Sequence, residues 1–476
     1  MISVSEDDLC LDFVAHVAKV AGFDGARRSD RHKNRRFNRA VVCNEQARTR
    51  CAFRVVGDYA EFHHFIFAQK YDFFFNIFHT FATNNNSIAV HIEFFYNQFS
   101  FIVLICFIIA LVVQLIYHWG VFSSVAFYKK SRQPKEDAGL EPVSIVFCAR
   151  DAYEYLTELI PALLNQDYPD YEIVVVNDCS DDETEEYLND LARKNPKIKP
   201  VQLKQHLNFF NGKKFPLSMG IKSAKNDLVV LTEYDCMPIN NLWLRSVVNC
   251  YSRNTEVVIG YSPYVRHKSS FNRIMRFDAL QNGLLYLSAA LKHHPYMGIG
   301  KNLSYRKELF YKNKGFISHY TTSVGDDDLF ISQVATKKNT EVLIDAENAI
   351  LTTPPRNCKS WMRQKSSRYS TASKYSLRAR LSLSFFYLSQ LVFYASFTAL
   401  LCMKPAFAIS NATMFYIPIL VFFFLLRYGS QLIIYHKASK NVGEKGLLPG
   451  LIVYDLLLAV LTPLLRTMGR MKIGVE

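Results

Sequence analysis

Apolar residues follow two different patterns along this chain, and the contrast divides it. Between Glu93 and Lys129 there is no Asp, Glu, Lys or Arg, and the centre reads FIVLICFIIALVVQLIYHW. Crossing a bilayer core takes about 20 apolar residues, so this run predicts a spanning helix over 97–120. Leu381 to Met403 and Pro405 to Leu426 are equally free of charge. They predict a hairpin of two further spans, 381–403 and 406–427, turning at Lys404 and Pro405. A fourth stretch, Gly446 to Leu465, has Asp455 at its centre and is interrupted by Pro449, Gly450 and Pro463. A lone carboxylate at mid-bilayer costs roughly 2.5 kcal/mol or more, so 446–466 is expected to lie in the interface or re-enter rather than span.

From 140 to 372 the pattern changes. PVSIVFCA, EIVVVN, Lys199–Leu203, DLVVLT and EVVIGY read as buried strands, the third weaker than the others, and helical stretches cover Tyr153–Leu164 and Asp182–Ala192. Strands alternating with helices predict an α/β domain with a mostly parallel sheet and ligands at the strands' C-terminal ends.

Composition narrows the class. With 50% hydrophobic and 14% aromatic residues, 19 Gly and 16 Pro, the 476-residue chain is neither disordered nor collagen-like. Its mean hydropathy of +0.01 suits a soluble domain tied to a few membrane helices. The ten cysteines form no CxxC pair, so reduced thiols are expected rather than a zinc site or disulfide framework.

The net charge of +14 is placed informatively. Lys129, Lys130, Arg132 and Lys135 follow the first span. Arg356, Lys359, Arg363, Lys365, Arg368, Lys374, Arg378 and Arg380 precede the second, and Arg427, Lys437, Lys440 and Lys445 follow the third. By the positive-inside rule the 140–372 domain faces the cytoplasm of a multi-pass plasma-membrane protein. Membrane lipid, not nucleic acid, is the partner this charge suits. Residues 1–92 differ from the rest, with a basic run from Arg27 to Arg39 and an aromatic run, FHHFIFAQKYDFFFNIFHTF. They are expected to be a poorly ordered extension or the product of an upstream start assignment.

Four places could carry chemistry. Asn177-Asp178-Cys179-Ser180-Asp181-Asp182 ends the second strand, where a carboxylate can hold a base or ribose hydroxyl; Ser180 or Asp181 is equally a helix cap. Glu233-Tyr234-Asp235 follows DLVVLT, and its two acids project the same way, which suits an oxygen-ligated divalent ion or two solvated loop acids. Gly325-Asp326-Asp327-Asp328 opens a helix. Three adjacent acids repel and raise the pKa of at least one, although acids in a first helical turn are also dipole partners. In Gln364 to Tyr369, after Trp361, Gln364 and Arg368 share a helix face and could grip a phosphate, or the helix is a basic one attracted to lipid.

In this order the four places resemble the family 2 glycosyltransferases, which have the GT-A nucleotide-sugar fold. PVSIVFCARDAYEYL is similar to that family's first strand and loop, and LLNQDYPDYEIVVVNDCSDDET to its second. The resemblance implies nucleotide contacts at Asp178, Ala149 and Asp151, and a Gly-Lys segment at Gly212, Lys213 and Lys214. Glu233 and Asp235 take the place of its DxD metal motif, implying Mg²⁺ or Mn²⁺. Asp326–Asp328 resembles its ED base motif, one residue shorter than the commoner GEDxDL, so the base is Asp327 by preference or Asp326. Gln364 and Arg368 match QxxRW as diphosphate ligands, with Tyr369 in place of Trp. Trp361 or Tyr369 would stack on the acceptor sugar, and Gly298 and Gly300, in a loop from Met297 to Asn302, would let the acceptor approach the backbone unless they form a simple turn.

The resemblance implies an inverting transfer from a nucleoside-diphosphate sugar, a UDP-sugar in the first instance, to a hydroxyl of a lipid-linked or glycan acceptor. A processive polysaccharide synthase is the alternative within the class. A non-catalytic nucleotide-sugar sensor is the alternative outside it.

Overall fold

Continuous apolar runs build the centre of the computed structural model, which describes residues 86–129, 140–204, 212–320, 322, 324–403 and 413–473. The expectation for residues 1–92 falls outside these, apart from the start of the first helix. That helix, α1 (Asn86–Leu115), runs on through a π-helical turn and a last α-turn to Ala126. Then follow β1 (Val143–Ala149), α2 (Tyr153–Leu164), β2 (Tyr171–Asp178), α3 (Thr184–Lys194), β3 (Ile198–Leu203), α4 (Lys214–Ser223) and β4 (Leu228–Leu231). The second half of the domain has β5 (Cys236–Pro238), α5 (Trp243–Val248), β6 (Val257–Gly260), α6 (Ser270–Leu291), β7 (Leu303–Arg306) and α7 (Lys307–Lys312). It closes with α8 (Asp328–Val334), β8 (Thr340–Leu343), β9 (Ile350–Thr352) and α9 (Cys358–Thr371). Three long helices follow, α10 (Leu377–Cys402), α11 (Thr413–Asn441) and α12 (Leu451–Ile473).

Seven strands form one mixed sheet in the order β3-β2-β1-β4-β7-β6-β8, and β5 pairs with β9 apart from it. The β3-β2-β1-β4 half is parallel, whereas β7 runs antiparallel to both its neighbours. All five strands read from the sequence are present. Those missed, three or four residues long, hold no run of three apolar residues of the kind that revealed β4 and β6. Both faces of the sheet are buried. Val143, Ile145 and Phe147 point into a core shared with α2 and α5, and Val146, Val174 and Val229 into one shared with α4 and α6. That double burial explains why the strands read as continuous apolar runs.

Packing of α4 on the sheet is close at Gly220, where an added Cβ would sit 2.7 Å from both Val146 Cγ1 and Val176 Cγ2. Gly220→Ala is expected to cost about 1–3 kcal/mol through overpacking, read as a lower Tm in detergent. An unchanged Tm would mean that α4 shifts freely on the sheet.

Among the described residues four helices are long and apolar enough to cross a membrane. Large apolar side chains on them, among them Phe101, Ile109, Phe385, Leu388, Phe422 and Leu425, face outward. Inward, the helices bury polar groups. This inversion of the soluble pattern associates the chain with a membrane. Two sequence premises are corrected here. Asp455 is not a lone carboxylate: its Oδ1 accepts from Gln390 at 2.7 Å and Gln431 at 2.8 Å, and its Oδ2 from Tyr394 at 2.7 Å and Arg427 at 2.8 Å. Arg427, counted in the sequence as a basic flank, is 2% exposed, and it also donates to Gln114 of α1. The third apolar helix therefore does not end at 427 but continues to Asn441.

Candidate functional site

The C-terminal ends of β1, β2 and β4 bring the first candidates to one edge of the sheet, as parallel topology requires. Ala149 ends β1 opposite Asn177, and Asp178 ends β2, where it is half-buried. Here the loops cap each other. Asp182 accepts from the backbone N–H groups of Tyr153 at 3.0 Å and Thr184 at 3.1 Å, so it serves the starts of both α2 and α3. The capping expected of Ser180 or Asp181 thus falls to Asp182. Asp151, with φ +47°, accepts from the Asp181 N–H at 2.9 Å, which leaves its carboxylate partly engaged in the loop.

Glu233 and Asp235 follow β4 and meet two lysines. Lys213 Nζ is 2.9 Å from Glu233 Oε1, and Lys301 Nζ is 3.2 Å from Glu233 Oε2. Lys301 also reaches both Asp235 oxygens, at 2.8 and 3.1 Å. Burial alone would raise the Glu233 pKa, but Lys213 and Lys301 outweigh it and hold the carboxyl well below its usual range. Sequence reading missed Lys301; its only signal was a basic residue beside Gly300 in a loop otherwise read for its glycines. Lys214, next to Lys213, is 2% exposed and donates to the His319 carbonyl at 2.7 Å and to that of Thr322. Burial lowers its pKa to about 8 while it anchors the segment leading to the acid triplet.

The three acids of that triplet do different things. Asp327 caps α8: its Oδ1 accepts from the Asp328 N–H at 2.7 Å and its Oδ2 from the Gly300 N–H at 2.9 Å. Asp328 is buried and accepts from Thr371 and Tyr375, which pins α8 to the end of α9; burial and then Asp327 push its pKa up to about 6. Asp326 lines a small cleft with Cys148, Lys213, Leu231, Thr232, Glu233 and Gly300. Burial, then the adjacent Asp327, push its pKa up to about 7 against the pull of Lys213.

Helix α9 divides its residues between two faces. Gln364 accepts from the Tyr264 hydroxyl at 3.3 Å. Burial opposes the Arg368 charge, but Asp327, Tyr264 and Glu233 outweigh it, which places the guanidinium within the field of the acid cluster. Trp361, Lys365 and Tyr369, at i, i+4 and i+8, share the adjacent face. Trp361 is 2% exposed and packs edge-on against Phe271, with ring centroids 5.8 Å apart. Tyr369 has the Lys365 ammonium 5.1 Å and the Arg466 guanidinium 5.3 Å from its ring. Burial of Trp361 corrects the expectation that it stacks on an acceptor, whereas Tyr369 is partly exposed with its ring engaged by two cations. Gly298 is corrected too. A Cβ on Gly298 would meet Leu303 at 3.0 Å and Ile331 at 3.2 Å, so core side chains fill the approach. Gly300 donates its N–H to Asp327 and lines the cleft beside Asp326.

Among the described residues no three His, Cys, Asp or Glu side chains converge to hold a metal ion. Glu233 and Asp235 supply two hard carboxylates. That donor set fits an Mg²⁺- or Mn²⁺-type ion completing its shell with water and phosphate oxygens.

The family model for glycosyl transferase family 2 matches residues 144–313, which includes Asp178, Lys213, Glu233, Asp235 and Lys301 and ends before the acid triplet. An uncharacterized glycosyltransferase of Haemophilus influenzae is 28% identical over 115 residues, 24% of this chain. A poly-beta-1,6-N-acetyl-D-glucosamine synthase of Staphylococcus epidermidis is 26% identical over 161 residues, 32% of this chain. The chain spans only 34% and 38% of the length of these curated relatives. Among solved structures, the Pyrobaculum calidifontis mannosyltransferase PcManGT, in complex with GDP-Man and Mn²⁺, is 16% identical with a TM-score of 0.48, covering 73% of this chain and 99% of that one. S. aureus TarS in complex with UDP-GlcNAc is 16% identical with a TM-score of 0.35, covering 70% and 92%. Residues 144–313 are a glycosyl transferase family 2 domain, carried on the α/β sheet of GT-A type that the sequence led us to expect.

Proposed function

We propose that this protein is a membrane-bound inverting glycosyltransferase that moves a sugar from a UDP-sugar to a hydroxyl of a lipid-linked or membrane-proximal glycan acceptor. The observation that carries the reading is the convergence of Glu233, Asp235 and Lys213, from the family 2 domain, with Asp326 and Arg368, which follow it in the chain, at one sheet edge. Asp178, at the end of β2, binds the base or ribose. Lys213, Gln364 and Arg368 hold the diphosphate. Glu233 and Asp235 hold Mg²⁺ or Mn²⁺, which when bound neutralises charge on the leaving group. Asp326 takes the proton from the acceptor hydroxyl as its oxygen displaces the diphosphate in one step. We assign the base to Asp326 ahead of Asp327, because backbone N–H groups occupy both Asp327 oxygens whereas Asp326 faces the cleft.

The catalytic domain, residues 140–372, is read as cytoplasmic at the plasma membrane, with spans over 97–120 and 381–403 and a third within α11, whose apolar stretch runs over Tyr416–Asn441. The basic residues flanking these helices support that orientation. Helix α12 is read as interfacial because both its ends meet the domain. Tyr454 lies 5.6 Å from Phe277 of α6, and Arg466 lies over Tyr369 of α9.

The test is nucleoside-diphosphate release from a panel of nucleotide sugars, using detergent-purified protein, membrane lipid extract, and buffer with or without Mn²⁺. Metal-dependent release with one donor is the expected result. Nucleotide binding without release from any donor would move the assignment to a sensor. The synthase name of the S. epidermidis relative favours polymer extension as a second reading. Product length separates the two, since one sugar per acceptor excludes a processive synthase.

A further inference from the structure

Lys301 occupies the place from which a cation would act on the Glu233–Asp235 pair. Its Nζ holds both Asp235 oxygens and one Glu233 oxygen, and Lys213 holds the other, so ammonium groups take all four carboxylate oxygens. Lys301 is 5% exposed, and its backbone is pinned. Its carbonyl accepts from Thr232 at 3.3 Å, the Gly300 N–H donates to Asp327, and Asn302 accepts from Trp243 and donates to the Tyr261 carbonyl. The side chain, by contrast, is held at its ammonium by these ion pairs, which a new acceptor can compete for.

Two carboxylates and two ammonium groups sum to zero charge. A divalent cation entering alone would leave two positive charges uncompensated in a largely buried site, which is unfavourable. A diphosphate supplies the missing negative charge and gives an ammonium group strong new acceptors.

We propose that Lys301 is the resident counter-cation of Glu233 and Asp235 and sets the order of loading. A divalent cation is kept off the two carboxylates until a nucleoside diphosphate draws the Lys301 side chain onto its phosphate oxygens. This rests on the reading of the pair as a metal and diphosphate site.

Mn²⁺ binding to the full-length, detergent-purified protein, followed by electron paramagnetic resonance with and without UDP, tests it. The wild type is expected to bind Mn²⁺ at least about tenfold more tightly with UDP, after correction for Mn²⁺–UDP in solution. Without UDP, Lys301→Gln is expected to bind Mn²⁺ about tenfold more tightly than the wild type, since one repelling charge at contact distance is gone. Mn²⁺ should also raise the Tm of Lys301→Gln more than that of the wild type, and adding Asp235→Asn should remove the gain. Equal wild-type affinity with and without UDP overturns the proposal, as does a Lys301→Gln affinity matching the wild type. If Lys301→Gln does not fold, the wild-type comparison decides alone. If UDP binds in neither condition, the nucleotide-sugar reading fails, and the Lys301→Gln comparison still decides the role of the lysine.

Discussion

Asp326→Asn is expected to lower kcat by about a thousandfold while leaving nucleotide binding intact, because loss of a positioned general base removes 10²–10⁴ in rate. The amide keeps the shape of the side chain but cannot take a proton. In the wild type, kcat should climb with pH and level off above about 7, since the base acts only when ionised and burial and Asp327 push its pKa up to about 7. The variant's residual rate should lose that limb. Stability separates this from misfolding. A carboxyl whose folded-state pKa is raised favours the folded state below its unfolded pKa, and that advantage is lost as pH rises through the folded value. Asp326→Asn should therefore be at least as stable as the wild type at pH 8. Asp327→Asn makes the informative contrast, because it weakens the α8 cap and the Gly300 contact and should lower Tm as well as rate. If Asp326→Asn retained most of its activity while Asp327→Asn lost it without a change in Tm, the base would be Asp327.

Asp455→Leu should lose most of its folded, monodisperse protein on extraction. The carboxylate accepts from Gln390, Tyr394, Arg427 and Gln431, and all four donors lose their acceptor at once. Stripping one partner from a buried ion pair costs about 3–5 kcal/mol, chiefly because the remaining charge is left uncompensated. Arg427→Met combined with Asp455→Leu removes that charge, so the double variant is expected to be more stable than Asp455→Leu alone. Size-exclusion profiles and thermal unfolding of the two variants make the comparison. A single variant as stable as the wild type would show that water reaches Arg427. The pair and its partners join α1, α10, α11 and α12, so the same loss should be seen from the Arg427 side with Arg427→Met alone.

Much of this was legible in the residues. Buried parallel strands are apolar on both faces, so Val143–Ala149 and Tyr171–Asp178 stood out as runs. Acids at the ends of such strands converge because parallel topology carries every C-terminal end to one edge, and that made Asp178 and the Glu233–Asp235 pair visible. Charge-free runs marked three of the four apolar helices. These are local signals, set by a few neighbouring side chains and their solvent.

Pairings between distant positions were beyond such signals. Lys301 and Asp235 stand 66 residues apart, and the donors to Asp455 lie 24 to 65 residues from it. A sequence shows that a charge is present but not what neutralises it, so Asp455 read as lone and Arg427 as a flank. Which side of α9 meets the cleft was equally undetermined, because Trp361, Gln364, Arg368 and Tyr369 all suit a sugar or phosphate site by type. Packing of α9 against α12 and α6 took Trp361 into the interior and turned Tyr369 toward Arg466, leaving Gln364 to Tyr264 and Arg368 to the acids. The fold class and the kinds of chemistry follow from local patterning. The division of labour among the acids and the partner of each buried charge follow from long-range contacts, whose energies depend on burial that no local stretch of sequence encodes.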